Sequence, residues 1–128
     1  MDAILNYLLH LLLSAGLVAA FFWIYTGITP FKEVALIRGG NMAAALSLSG
    51  AVLGFAVTLA SALMHTPDYR QFLLWAALAL IVQLACYFVA TRLLHMAQDQ
   101  IEANNKAFGT LLGGISLSIG LINAGCIS

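Results

Sequence analysis

Apolar residues run along the chain in four long blocks, at residues 4–28, 42–64, 72–91 and 107–127, and none of the four contains Asp, Glu, Lys or Arg. Each block is about 20 residues or slightly longer, the length a helix rising 1.5 Å per residue needs to cross ~30 Å of hydrocarbon. The pattern predicts an all-α membrane protein with four transmembrane helices. The first block is expected to be a permanent span and not a secretory signal, because Met1-Asp2-Ala3 before it carries no Lys or Arg and its apolar run is too long.

Blocks one and three are bulky, and blocks two and four are small. The first holds seven leucines and the cluster Phe21-Phe22-Trp23, and the third holds Phe72, Trp75, Tyr87 and Phe88. The second reads Ala43, Ala44, Ala45, Ser47, Ser49, Gly50, Gly54, and the fourth carries Gly109, Gly113, Gly114, Ser116, Ser118 and Gly120. Small residues four apart let helix backbones approach closely in a membrane, so the second and fourth helices are expected to meet at the centre. Gly50, Gly54, Gly109, Gly113, Gly114 and Gly120 are the expected packing positions. Bulky helices one and three are expected outside, toward membrane lipids, with an aromatic belt at one interface.

Thr29-Pro30 is expected to end the first helix, since proline disfavours helical geometry in the residue before it. A polar loop at 29–41 then leads to Asn41, which is placed to cap the second helix. The short loop 65–70 permits only an antiparallel return. The loop at 92–106 is the most polar stretch, and Asn105 opens the fourth helix.

The bulky helix, polar loop and small helix recur at an offset of 64 residues. Ile37 aligns with Ile101, Asn41 with Asn105, Ala43 with Ala107, Gly50 with Gly114 and Ala60 with Ala124. The chain therefore divides into a first two-helix repeat, 1–64, and a second, 65–128. Two spans per unit make the repeats parallel, related by an axis along the membrane normal.

Composition supports the lipid environment: with 62% hydrophobic and 8% charged residues, a soluble core this small would leave too much apolar surface in water. Net charge is +0, which gives nucleic-acid binding no electrostatic basis. Lys32, Arg38, Arg92 and Lys106 flank one side of the membrane and only Arg70 the other. The positive-inside rule then puts loops 29–41 and 92–106 in the cytoplasm and both termini outside.

The residues also resemble a known family, the YjfL-like bacterial inner-membrane proteins. The resemblance spans nearly the whole chain. It is carried by Ile24-Tyr25 through Ile28-Thr29-Pro30, by Asn41, Ala43, Ala44, Leu46, Ser49, Gly50, Leu53 and Gly54, by Ile81, Gln83 and Leu84, and by Asn105, Ala107, Asn123, Ala124 and Cys126. It implies an inner-membrane protein of a family without an assigned activity, built from two-span units.

Chemistry-bearing residues are few. Asn41 and Asn105 either cap their helices or line a shared polar opening at the axis between repeats. Gln83 and Asn123 lie within spans, where interhelical hydrogen bonds worth ~0.6–2 kcal/mol are the expected use of an amide. His10, His65, Asp68 and His95 follow no metal-ligand spacing. Arg38-Gly39-Gly40-Asn41 is not a phosphate loop, because no strand precedes it. Cys86 and Cys126 differ in depth by roughly 20 Å at 1.5 Å per residue, so no bridge between them is expected. With no intramembrane acid or amine, neither catalysis nor proton-coupled transport is expected, and no cofactor is implied. Two readings remain. One is an accessory membrane module that forms a homo-oligomer or docks a peripheral or membrane protein partner at its cytoplasmic loops. The other is a small oligomeric channel or permease around helices two and four.

Overall fold

The computed structural model describes residues 3–28, 33–66, 68–93 and 97–127. Six helices form in the order α1 (Ala3–Ile28), α2 (Glu33–Arg38), α3 (Met42–His65), α4 (Tyr69–Leu93), α5 (Ala97–Glu102) and α6 (Lys106–Cys126), with no strand among the described residues. The four long helices, α1, α3, α4 and α6, are each long and apolar enough to cross a membrane. The protein is thus an all-α, multi-pass membrane protein. Thr29, Pro30, Lys32, Pro67 and His95 fall outside the described residues.

The two short helices α2 and α5 occupy stretches expected to be loops. They form because each polar stretch carries one apolar edge that has somewhere to pack. Leu36 and Ile37 on α2 and the fully buried Ile101 on α5 join Ala43, Ala44, Leu112 and Phe108 in a cluster over the ends of α3 and α6. Six-residue helices are marginal alone, so tertiary packing of this edge holds them.

α2 and α5 are themselves 64 residues apart, and the turns after them share most of their bonds. Gly39 N–H donates to Ala35 O and Gly40 N–H to Ile37 O, as Ala103 N–H does to Asp99 O and Asn104 N–H to Ile101 O. Gly40 (φ 86°) and Asn104 (φ 59°) take the left-handed conformation at the same place in each turn. Glycine and asparagine are the residues that visit it at least cost. In both halves the chain therefore makes a short helix, a left-handed turn and an asparagine cap before entering the long helix.

α3 and α6 run together along their lengths at the centre. α4 packs on both, and α1 packs on α3 and the edge of α4. The main core lies where α1, α3 and α4 meet, around Phe21, Tyr25, Phe55, Phe72 and Ala76. Phe21 stacks on Phe55 at 4.7 Å between ring centroids. Both cysteines are free.

Candidate functional site: the α3–α6 seam and its polar partners

The seam is built from residues too small to hold two backbones apart. A methyl group on Gly50 would fall inside the backbone of Gly113, one on Gly109 inside that of Ala43, and one on Gly120 inside that of Gly54. Gly113 meets the backbone of Leu46, and a methyl group on Gly54 would come within 2.6 Å of Ser116 O. Five of the six expected packing glycines therefore lie in backbone-to-backbone contact between α3 and α6. Gly114 does not. It is one residue past Gly113 and so about 100° around the helix, where it is exposed with nothing within 4 Å of an added methyl.

The contact joins faces of α3 and α6 that do not correspond at the 64-residue offset. α3 contributes Ala43, Gly50, Gly54, Thr58 and Ser61, whereas α6 contributes Gly109, Gly113, Ser116, Gly120 and Ala124. Moving the α3 set forward by 64 gives Ala107, Gly114, Ser118, Ile122 and Gly125, the opposite side of α6. Those five are exposed.

Hydroxyls and amides complete the seam. Thr58 Oγ1 donates toward Gly120 O at 2.9 Å and its own helix's Gly54 O at 3.0 Å. Ser61 Oγ donates to Ala124 O at 2.6 Å. Near mid-membrane, Gln83 Nε2 on α4 donates to Ser116 O at 2.8 Å. Asn123 Nδ2 donates to Ala79 O at 3.3 Å. Gln83 Oε1 and Ser116 Oγ are both buried without a hydrogen-bond partner. Toward the capped end, Ser47 Oγ lies 3.0 Å from Tyr87 OH and 3.5 Å from Tyr25 OH, and the two rings tilt together at 4.5 Å. Tyr25, Ser47 and Tyr87 are all buried.

Asn41 and Asn105 both cap, with near-identical backbone (φ −76°, ψ 105° and φ −76°, ψ 97°). Asn41 Oδ1 accepts from Ala44 N–H at 2.9 Å, and Asn105 Oδ1 accepts from Phe108 N–H at 3.2 Å. Their amide nitrogens go to different places. Asn41 is buried and donates to Ile101 O at 2.7 Å, across to the other repeat. Asn105 is exposed and donates to Gln100 Oε1 at 2.6 Å, within its own. The two side chains therefore do not converge on one opening. Asn104 closes the bridge from the other side, its Oδ1 accepting from Ala43 N–H at 3.0 Å.

His10 and His65 each bond back to their own helix. His10 Nδ1 sits 2.8 Å from Asn6 O and His65 Nδ1 2.8 Å from Ser61 O, each one turn back. Sequence reading missed Asn104, Thr58, Ser61 and the Tyr25–Ser47–Tyr87 cluster. The signal for Thr58 and Ser61 was present, since both continue the line of Gly50 and Gly54 at helical spacing.

The family model described as Domain of Unknown Function (DUF350) matches residues 1–127. The chain is 30% identical to the UPF0719 inner membrane protein YjfL of Escherichia coli (strain K12), over 100% of this chain and 97% of that one. It is similar to the same degree and extent to the protein of that name from Escherichia coli O157:H7. No solved structure matches. A four-span helical architecture and a family match over nearly its whole length establish that this chain belongs to the DUF350 family of inner-membrane proteins.

Proposed function

We propose that the protein is an accessory module of the membrane that assembles with copies of itself or docks a partner, and that it carries out no reaction of its own. The observation that carries this reading is the closed seam. α3 and α6 touch backbone to backbone from Ala43 to Gly120, so the small residues within one chain serve packing. In this reading the asparagine-capped end, with α2 and α5, faces the cytoplasm, as the distribution of Lys and Arg suggests. Native mass spectrometry from mild detergent tests it. The reading expects oligomers or a co-purified partner, and monomer alone with no partner sinks it.

A second reading, a small oligomeric channel, is favoured by Gln83 Oε1 and Ser116 Oγ, which are polar, buried and unpartnered near mid-membrane. Unpaired polar groups at that depth are costly unless water or a solute visits them. This reading expects ion or small-solute flux in liposomes that Gln83→Leu diminishes. An absence of flux across a panel of ions and small solutes removes it.

A further inference from the structure

Three surfaces that are buried in one repeat lie open in the other. The α3 face that packs on α6 has its counterpart 64 residues on at Ala107, Leu111, Gly114, Ser118, Ile122 and Gly125, where Leu111 is 50% and Ile122 68% exposed. The α6 face that receives α3 has its counterpart at Ala45, Ser49, Val52, Ala56 and Ala60 of α3. Those residues are half-buried or exposed. The α4 stripe Phe72, Ala76, Ala79, Gln83, Tyr87 is wholly buried. Its counterpart on α1 is Leu8, Leu12, Ala15, Ala19, Trp23, with Leu12 70% and Trp23 78% exposed.

The open surfaces on α1 and α3 adjoin. Between them runs a groove holding an apolar cavity of about 240 Å³ lined by Leu11, Ser14, Ala15, Ala56, Ala60 and Leu63. It continues toward Thr66 as a second cavity of about 460 Å³. Ser14 Oγ lies in this groove, buried and without a hydrogen-bond partner. In the second repeat the equivalent groove, between α4 and α6, is filled by α3, with Thr58 and Ser61 reaching Gly120 O and Ala124 O.

We infer that the α1–α3 groove of one copy takes the outer face of α6 from a second copy, in a wider form of the contact between α3 and α6 within one chain. It is wider because Ala45, Ser49 and Ala56 carry side chains where Gly109, Gly113 and Gly120 have none and so hold the backbones further apart. The inference rests on the self-association reading and specifies its surface. It fixes neighbours by analogy. Gly54 against Gly120 becomes Ser118 against Ala56, Gly50 against Gly113 becomes Gly114 against Ser49, and Tyr87 over Ser47 becomes Trp23 over Leu111. The contact is head-to-tail, not self-complementary, so it propagates. The two docking faces of each small-residue helix lie roughly 160° apart at 100° per residue, with α1 and α4 on the wider side. The row of copies therefore curves, with α1 and α4 on its convex side.

Disulfide trapping tests this in native membranes of a full-length Cys86→Ala/Cys126→Ser background. The double variant Ala56→Cys/Ser118→Cys is expected to give, on oxidation, a ladder of covalent multimers, while Ser118→Cys alone stays monomeric. Gly114→Leu, placed where nothing lies within 4 Å in the chain itself, is expected to abolish the ladder and leave the helical circular dichroism and melting of the monomer unchanged. Dimers from Ser118→Cys alone, a monomeric double variant, or a ladder that survives Gly114→Leu would each overturn the inference. Native mass spectrometry of the unsubstituted protein separates the two levels. Oligomers without a ladder sink this surface and leave self-association standing, whereas monomer, with or without lipid bound, sinks both.

Discussion

α1 and α4 hold matching places in the order of elements, one before α2 and α3 and the other before α5 and α6, yet α4 hides its stripe and α1 shows it. On α4, Gln83 and Tyr87 are buried against Ser116, Gly54 and Ser47. On α1, Trp23, the counterpart of Tyr87, is 78% exposed. α1 packs instead through Phe21 and Tyr25, which are fully buried against α3 and α4. Position in a repeat fixes what a helix is made of, and its neighbours fix which face is covered. The same contrast holds for Gly50 and Gly114, aligned in sequence, one locked against Gly113 and the other open.

That last pair gives the largest expected effect. Gly50→Leu puts a side chain where Gly113 backbone already lies, and α3 and α6 must part along their length. The expected outcome is loss of the folded chain, read as failure to accumulate in the membrane and loss of a cooperative melt in detergent. Gly114→Leu melts like the unsubstituted monomer. Equal damage from both would break the distinction between the sealed and the open glycine.

The next effect separates the two caps. Asn41→Ala removes a helix cap and a buried bond to the other repeat, each worth about 1 kcal/mol. It also leaves Ile101 O with only its bond from Asn104 N–H. Asn105→Ala removes a cap and an exposed bond to Gln100, so about 1 kcal/mol or less is expected. Unfolding of each variant in detergent, followed by circular dichroism, is expected to show Asn41→Ala losing roughly twice as much. Equal losses would mean the bridge to Ile101 adds nothing to the cap.

How much of this was legible beforehand follows from which interactions are local. The four spans were readable because length and apolar composition alone decide membrane crossing, and both asparagine caps because a cap is settled within four residues. The closeness of α3 and α6 was readable from Gly50, Gly54, Gly109, Gly113 and Gly120. Which side of α6 meets α3 was not, because the helix carries small residues on two sides, Gly109/Gly113/Gly120 and Gly114/Ser118/Gly125. Sequence likeness between repeats argued for equivalent faces, and packing chose the other. α2 and α5 were hidden for a related reason. Six residues carry too little periodicity, and Leu36, Ile37 and Ile101 earn their helices only through contacts made after the long helices assemble.

The smallest effect tests whether the hydroxyls matter to the comparison at all. Thr58 Oγ1 reaches across to Gly120 O, while Ser118 Oγ bonds only Gly114 O, one turn back on its own helix, at 2.7 Å. An interhelical bond in a membrane contributes about 0.6 kcal/mol on average and rarely above ~1.7. A hydroxyl bonded to its own helix contributes near zero, since the bond survives when the helices separate. Thr58→Val keeps the shape and removes the cross-seam bond, so it is expected to lower the detergent unfolding free energy by about 0.6–1.7 kcal/mol. Ser118→Ala is expected to leave the isolated monomer unchanged. If the two variants unfold alike, Thr58 is held by its own Gly54 O and the seam rests on glycine packing alone.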